Sequence, residues 1–466
     1  MRRVGTARDR IQDKYYKTME LREFIDREGR CVIPESVKEI GDCAFDGCAE
    51  LRSVRMHGGI TRIGCNAFRG CTSLETVEIP DGVAELPDGL FNECAGLKSV
   101  RIPAGVKRIG DEAFRRCASL TSIKIPDGVE EIGSFAFAEC TGLTSVEIPE
   151  GVARIDWYTF CHCSGLTSVR IPGSVTEIGK LAFADCTSLT SVDIPEGVTT
   201  ICDGAFYGCR KLSSVHIPKS VTEIWHSAFE NCSGLVSIDI PAGVAKIGEL
   251  TFAHCTGLES VGIPDSVKEI ECSAFIGCTG LKSVSLPSGV TAIGESAFEG
   301  CTGLTAVEIP DSVMRIAGRT SRGGGAFSGC TGLTSVRLSR GLTEIADEAF
   351  KGCTGLTSIE VPDSVTQIGD NAFEGCTGLK SVSIPSGVTV IGESAFEGCT
   401  GLTSVEIPDS VTQIWRYAFQ GCTGLISAHV PDSVADIGEC VFRGCTALTE
   451  NSVPEEGRGK LMDLPF

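Results

Sequence analysis

Hydrophobic and polar positions recur along the chain with a period of 23 residues. A Phe stands at every 23rd position from 45 to 298, the next follows after 29 residues at 327, and the period then resumes through 442. A Cys follows each of these Phe residues by three positions, so eighteen copies of one unit account for most of the chain. Self-similarity at a fixed period of this length predicts a repeat architecture.

Each unit contains a strand pattern. The unit reads I-P-x-(S/G)-V-x-x-I-G-x-x-A-F-x-x-C-x-x-L-x-x-V-x-I, and residues 125–148 are a nearly complete copy. Val146 and Ile148 alternate with polar residues, which predicts a half-buried strand. Pro149 follows directly and ends that strand, because proline has no N–H group to donate to a sheet.

Two further elements complete the unit. Val152 and Ile155 predict a second, shorter strand before the recurrent Gly position. The segment 296–301 is too short for an independent helix, and we expect one helical turn that buries Phe298 and Cys301 together. A unit of this size cannot bury its apolar face alone, so stacked copies must share one core, as they do in a solenoid.

The motif L-x-x-V-x-I-P followed by I-G-x-x-A-F-x-x-C-x-x-L resembles the BspA-like, or treponemal-type, leucine-rich repeat family from about Cys31 to Pro454. The usual Asn position after the strand holds Ser or Gly, as at Ser364 and Gly387. The resemblance implies an α/β solenoid: a right-handed leucine-rich-repeat superhelix of about eighteen 23-residue units, with parallel β ladders and short helical turns. It also implies binding or adhesion proteins, and it carries over no catalytic residue.

The repeat limits define the expected domains. Residues 1–20 form a basic N-terminal tail, 21–454 a single BspA-like solenoid, and 455–466 a C-terminal tail. A six-residue insertion lies within 316–326, where the glycines favour a flexible projecting loop, either a contact element or a tolerated insertion. The basic tail either docks against an acidic surface or is a solvated terminus.

Composition narrows the class of partner. The chain has 41 Lys and Arg against 61 Asp and Glu, a net charge of −20, which disfavours nucleic acid as a partner. The chain contains no run of 18 apolar residues, so no transmembrane segment is predicted. The N-terminal region has no apolar stretch typical of a secretory signal. We therefore expect a cytoplasmic protein, with the cell surface or non-classical secretion as the alternative.

The cysteines and histidines do not form a recognisable reaction centre. The eighteen repeated Cys are 23 residues apart, whereas zinc ligands come in pairs two to four residues apart, so we expect free core thiols and no metal or cofactor. The six His fall at different phases of the unit, so no catalytic residue is assigned and no enzyme is expected. Outside the repeated column, Cys43 and Cys65 fall at near-equivalent places in neighbouring units and are the first pair to test for oxidation.

One candidate binding surface consists of the residue between the two buried strand positions, on an extended concave β surface. Opposite charges alternate in much of its first half, which favours either a self-satisfied charge ladder or contact with an extended polypeptide or glycan. The residues of this candidate surface are Arg55, Glu78, Arg101, Lys124, Glu147, Arg170, Asp193, His216, Asp239 and Arg337.

A second candidate surface is an aromatic edge. All three Trp occur just after the Ile that precedes the usual Gly, at phases that otherwise hold Gly or polar residues. We expect partly exposed rings, which either anchor a partner or lie flat over the neighbouring repeat. The residues of this edge are Trp157, Tyr158, Trp225, Trp415 and Tyr417.

The sequence therefore predicts a non-enzymatic protein-binding or scaffold protein that presents an extended surface to a macromolecular partner. A cell-surface adhesin for host, matrix or glycan ligands and a structural subunit of a large assembly are the alternatives. A protein partner is expected, but its identity and the oligomeric state are left open.

Overall fold

A computed structural model describes residues 21–318 and 323–449. The chain divides into two compact units, residues 1–221 (unit 1) and 222–466 (unit 2). Each unit is a parallel β-solenoid, and each 23-residue repeat forms one turn of it, here called a rung. The predicted basic tail, the C-terminal tail after 449 and the middle of the insertion lie outside the described residues.

Every complete rung has a strand of three residues, except the rung in which Ser122 makes only an isolated bridge to Ser145. In unit 1 these strands are Arg30–Val32, Ser53–Arg55, Thr76–Glu78, Ser99–Arg101, Ser145–Glu147, Ser168–Arg170, Ser191–Asp193 and Ser214–His216. In unit 2 they are Ser237–Asp239, Ser260–Gly262, Ser283–Ser285, Ala306–Glu308, Ser335–Arg337, Ser358–Glu360, Ser381–Ser383, Ser404–Glu406 and Ser427–His429.

A strand of two residues follows the recurrent Pro corner. In unit 1 these strands are Glu39–Ile40, Arg62–Ile63, Glu85–Leu86, Arg108–Ile109, Glu131–Ile132, Arg154–Ile155, Glu177–Ile178 and Thr200–Ile201. In unit 2 they are Glu223–Ile224, Lys246–Ile247, Glu269–Ile270, Ala292–Ile293, Arg315–Ile316, Glu344–Ile345, Gln367–Ile368, Val390–Ile391, Gln413–Ile414 and Asp436–Ile437.

Equivalent strands of neighbouring rungs pair in parallel and in exact repeat register. Val146 lies opposite Val169 in unit 1, and Val405 lies opposite Ala428 in unit 2. Across the insertion, Val307 lies opposite Val336, so the extra six residues do not disturb the pairing. The predicted parallel ladders are therefore confirmed.

The repeated Phe side chains form the centre of the core in each unit. They are at most 2% exposed, and their rings stack on those of the neighbouring rungs with centroids 5.2–5.6 Å apart in unit 1 and 5.2–5.7 Å apart in unit 2. Rings at these separations attract one another in addition to burying apolar area. The prediction that Phe marks the interior is confirmed.

The prediction of a helical turn around each repeated Phe is wrong. Within the described repeats this segment is a run of turns, in which backbone N–H groups alternate between two kinds of acceptor. Phe252 donates to the carbonyl of Ala274 in the next rung at 2.9 Å, whereas the following Ala253 donates to Leu250 in its own rung at 3.0 Å. A helix directs successive N–H groups back along its own chain, so this segment cannot be helical.

The alternation is accompanied by a left-handed backbone two residues before and two residues after each repeated Phe, except at Gly325 before Phe327. Among the residues that the structure describes, the 22 non-glycine residues with positive φ all stand at these two positions, for example Leu250 and His254 with φ of 57° each. Gly277 and Gly300 occupy the later position in other rungs, each with φ of 69°. This conformation costs an L-residue about 1–2 kcal/mol, and glycine avoids that cost.

The repeated Cys residues connect neighbouring rungs within each unit. Sixteen of the eighteen repeated thiols, all except Cys48 and Cys232, donate from Sγ to the carbonyl of the Phe in the preceding rung of the same unit, at 2.9–3.3 Å. All 25 cysteines are free, and burial raises the pKa of thiols such as Cys278 to about 12. The prediction of free core thiols is confirmed.

The insertion differs in part from the expected projecting loop. Residues 319–322 lie outside the described residues, but Gly324 and Gly325 are packed into the rung. The N–H of Gly324 donates to Oγ of Ser296 at 2.9 Å, and a Cβ on Gly325 would collide with the backbone of Glu348. These glycines therefore permit close backbone approach, not loop mobility.

Replacement of one stacked ring should destabilise the chain strongly. Phe373→Ala leaves a cavity in the core and should lower the free energy of unfolding by about 3–5 kcal/mol, measured by chemical denaturation. Phe24→Ala is the matched control, because Phe24 is 46% exposed and its loss should cost less than about 1 kcal/mol. Equal effects of the two substitutions would contradict the stacked core.

Relief of one left-handed residue should stabilise the chain. His254 is exposed with φ of 57°, so His254→Gly should raise the free energy of unfolding by about 0.5–1 kcal/mol. The control is Thr256→Gly, at an exposed residue outside the positive-φ set, which should lower stability by a similar amount. Denaturant midpoints that move in the same direction for both variants would argue against the left-handed assignment.

Candidate binding surfaces

The strand face is the set of exposed residues on the three-residue strands and their equivalents. All the residues predicted for this surface are exposed. They are Arg55, Glu78, Arg101, Lys124, Glu147, Arg170, Asp193 and His216 in unit 1, and Asp239 and Arg337 in unit 2. The Ser that begins most of these strands is also exposed, whereas the residue between is buried or half-buried. The alternation of the pleated strand thus displays two columns of polar side chains in each unit.

Charged side chains of the strand face pair diagonally, with the residue after the corner proline of the neighbouring rung, more often than with the residue directly opposite on the neighbouring strand. Arg101 lies opposite Glu78 in the ladder, but its guanidinium contacts Asp81, the residue after the corner proline, at 3.0 Å. Arg170 contacts Glu150 at the equivalent position at 3.6 Å. Because these side chains are more than half exposed, each pair contributes at most about 1 kcal/mol.

Arg337 in unit 2 makes the straight pairing that the ladder alternative predicts. Its Nε lies 2.7 Å from Oε1 of Glu308 on the adjacent strand, and its Nη1 lies 3.4 Å from Oδ1 of Asp311. The strand face is therefore partly neutralised by its own charges. Its remaining exposed groups are available to a partner.

Two cavities in unit 2 follow the end of the strand face. One of about 500 Å³ is lined by residues that include Arg337, Glu360 and Asp363. The second, of about 620 Å³, is lined by residues that include Glu406 and Asp409. Both lie between the last residue of a three-residue strand and the residue after the corner proline, so they occupy the same place in different rungs.

The tryptophans of the aromatic edge are exposed, as predicted. Trp157 is 54% exposed in unit 1, and Trp225 and Trp415 are 45% and 52% exposed in unit 2. The indole Nε1 of Trp225 donates to Glu223 at 3.0 Å, and the Arg416 guanidinium lies 5.9 Å from the ring centre of Tyr417. A role for these rings in binding stays a prediction.

An apolar patch on the turn side of unit 1 was not foreseen as a whole. Phe135 and Tyr158 stack with ring centres 4.4 Å apart, and with Leu181 and Tyr207 they pack around a small cluster of Ala138, Cys161 and Ala184. Tyr158 had been assigned to the aromatic edge, but its neighbours had not. The available signal lay at two positions of the repeat, the second before and the first after the repeated Phe. These positions are usually polar, but in these consecutive units they hold apolar residues.

The cysteines outside the repeated column differ in exposure. Cys43, Cys65 and Cys272 are exposed and Cys440 is partly exposed, whereas the other 21 of the 25 are buried. The N–H of Cys43 donates to the carbonyl of Cys65 at 2.9 Å, so these two residues are neighbours in space, as their places in the repeat indicated.

The part of the chain that the structure describes has neither a cluster of metal-binding residues nor a membrane-spanning helix. No group of three or more His, Cys, Asp or Glu residues within 21–318 and 323–449 is arranged to hold a metal ion. In the same residues, no helix has the length and apolar character needed to cross a bilayer.

The repeat pattern and solenoid match a known family. The family described as BspA type leucine rich repeat region matches residues 28–123, 107–236, 199–322 and 320–449, which together span most of the chain. The chain belongs to the BspA type leucine rich repeat family. The resemblance recognised from the motif is thereby confirmed.

Solved structures include other leucine-rich repeat proteins. A leucine-rich repeat protein from Bacteroides ovatus is 31% identical to this BspA type chain, over 80% of this chain and 85% of that one, with a TM-score of 0.59. A leucine rich cell surface protein from Faecalibacterium prausnitzii is 30% identical over 80% and 86% of the two chains, with a TM-score of 0.40. No curated protein matches the chain.

Thiol labelling should separate the two classes of cysteine in this BspA type protein. A thiol-specific reagent should modify native Cys43, Cys65, Cys272 and Cys440 and leave the 21 buried thiols unmodified until denaturation. Only the thiolate reacts, and burial raises the pKa of a core thiol such as Cys330 to about 12. Desolvation also raises the pKa of Cys43, so its labelling should accelerate as pH rises above neutrality.

Mass spectrometry of the labelled peptides identifies the modified sites. Rapid modification of repeated cysteines such as Cys278 in the native protein would show that the core is not closed.

Proposed function

We propose that this protein is a non-enzymatic binding or scaffold protein that presents the strand face to a protein partner. The observation that carries the proposal is the exposure of the strand-face residues in rung after rung, from Arg55 to His216 in unit 1 and from Asp239 onward in unit 2. Repetition of similar side chains extends a surface along many rungs. Solenoids commonly use such extended surfaces for binding.

The repeated cysteines hold neighbouring rungs together, and this structural role supports a non-enzymatic protein. The repeated thiols donate to Phe carbonyls, as Cys278 does to Phe252 at 3.1 Å, and burial suppresses their ionisation. Reaction chemistry generally needs a nucleophile and a base within hydrogen-bond distance of each other in a pocket. His429 and Ser410 both line the second cavity, but Oγ of Ser410 donates to the backbone carbonyl of Val388 at 2.6 Å and not to a base.

The proposal extends to cellular location. The many free thiols are compatible with a reducing compartment, and on that ground the proposal includes a cytoplasmic location. Cell fractionation tests this part independently: intact protein on the cell surface would favour the adhesin alternative.

Charge reversal on the strand face should abolish partner binding. The triple variant Arg101→Glu, Arg170→Glu and Arg337→Glu replaces exposed cations on strands in both units. Reversal at a charged interface typically costs several kcal/mol, so capture of the partner from the native source should fall at least about tenfold. Quantitative co-purification with the tagged full chain measures the effect.

A matched control carries the same change in net charge on the turn side. Lys180→Glu, Arg210→Glu and Arg443→Glu alter exposed cations in the turn segments and should leave capture unchanged. Unchanged capture by the strand-face variant, or equal loss with both variants, would contradict use of the strand face.

A further inference from the structure

The strand-end groove is a channel in unit 2 formed by repetition of one corner of the rung. Its floor is the residue before each corner proline or its equivalent, and these side chains are buried: Leu338, Val361, Ile384 and Ile407. One wall is the exposed last residue of each three-residue strand, and the other is the residue after the corner. The cavities of about 500 Å³ and about 620 Å³ both lie at this corner, and Glu360 of the first lies opposite Ser383 of the second in the strand ladder.

The walls of the groove alternate in charge from rung to rung. Paired wall residues from the two sides are, in order, Glu308 with Asp311, Arg337 with Arg340, Glu360 with Asp363, Ser383 with Ser386, and Glu406 with Asp409. Carboxylate pairs thus occur at every second rung. The pair Arg337 and Arg340 separates the first carboxylate pair from the second, and the pair Ser383 and Ser386 separates the second from the third.

Two of the three carboxylate pairs are not neutralised. Arg337 contacts both Glu308 and Asp311, at 2.7 Å and 3.4 Å. In contrast, four carboxylates make no side-chain hydrogen bond or ion pair with any other part of the chain that the structure describes: Glu360, Asp363, Glu406 and Asp409. Arg337 and Arg340 line the first cavity beside Glu360 and Asp363, so these walls carry two cations against four carboxylates, and the net charge of −2 favours a cationic occupant.

The spacing of the two pairs specifies the form of that occupant. Stacked strands are about 4.8 Å apart, so pairs two rungs apart are separated by about 9.6 Å. In a polyproline II segment every third residue faces the same side, and three residues advance about 9.3 Å. Side chains on one side of a β-strand recur at about 6.7 Å or 13 Å, which fits the pairs less well.

The width of the groove also favours an extended segment. Its two walls are only three residues apart in the chain, which limits their Cα separation to about 10 Å. A helix with its side chains is about 10–12 Å across. The hydroxyls of Ser383 and Ser386 lie between the carboxylate pairs, where they can donate to the unpaired carbonyls of a polyproline II backbone.

We propose that the strand-end groove binds an extended polypeptide with Lys or Arg at every third residue. One cation lies between Glu360 and Asp363, and the next lies between Glu406 and Asp409. This inference rests on the proposed function and names the chemistry of the partner at one part of the strand face.

Direct binding of defined peptides to the full chain tests the groove. The probe is a fluorescent peptide with the core Lys-Pro-Pro-Lys-Pro-Pro-Lys, and its control has the same composition with the three Lys adjacent. Fluorescence anisotropy should show at least about fivefold tighter binding of the spaced peptide, and the affinity of the spaced peptide should decrease as salt is raised. A peptide with Lys at alternate residues tests the β-strand form.

Two protein variants locate the binding site. Glu360→Gln, Asp363→Asn, Glu406→Gln and Asp409→Asn together should weaken binding of the spaced peptide at least about tenfold. The control variant removes four exposed carboxylates of unit 2 away from the groove, with Glu249→Gln, Glu269→Gln, Glu344→Gln and Glu439→Gln, and should bind the peptide within about twofold of wild type.

The outcomes distinguish this inference from the function on which it rests. Equal binding of the spaced and clustered peptides, equal losses in the two variants, or preference for the alternate-residue peptide would each overturn the polyproline II assignment. Absence of peptide binding would also overturn it. Loss of the native partner from the strand-face charge-reversal variant would still support the proposed function in that case.

Discussion

The fold depends on the alternation of backbone hydrogen bonds around each repeated Phe. Within each unit, the N–H groups of the Phe and of the residues two positions to either side of it donate to the next rung, while the N–H groups between them close turns within their own rung. This arrangement satisfies the buried backbone without a helix. It also places each Phe ring over its neighbour and each Cys thiol against a Phe carbonyl.

The same alternation accounts for the tolerance of the repeat to varied surface residues. The strained positions two residues from the Phe are exposed or half-buried in rungs such as those of Ser227 and His254, so their side chains can vary while the backbone remains left-handed. Core positions admit no such freedom, because every repeated Phe is buried and stacks on at least one other within its unit. Differences between rungs therefore concentrate on the strand face and the turn side, where a partner can distinguish them.

The periodic pattern was sufficient to predict the architecture and the residues of the core. Alternation at Val146 and Ile148 correctly indicated a strand, and the spacing of Phe and Cys correctly indicated a shared interior. The predicted helical turn failed because Ala297, Phe298 and Cys301 have the same apolar spacing in a helical turn as in a hydrogen-bonded turn ladder. Gly300 was the available signal, since glycine recurs where a left-handed residue is needed.

The candidate surfaces were predictable only in part. Exposure of the strand face and of the Trp rings followed from their phases in the repeat, whereas the diagonal pairing of Arg101 with Asp81 depends on the geometry of the proline corner. The strand-end groove was missed for the same reason: Glu360 and Asp363 are three residues apart in sequence, and the corner makes them opposite walls of one channel.

The most direct test of this account is a crystal structure that resolves the backbone angles around the repeated Phe residues. The turn ladder requires φ between 52° and 80° at the residues two before and two after each repeated Phe except at Gly325, as at Ser296 with 54° and Gly300 with 69°. Values of φ near −60° throughout these segments, with hydrogen bonds that run back along the same rung, would contradict it.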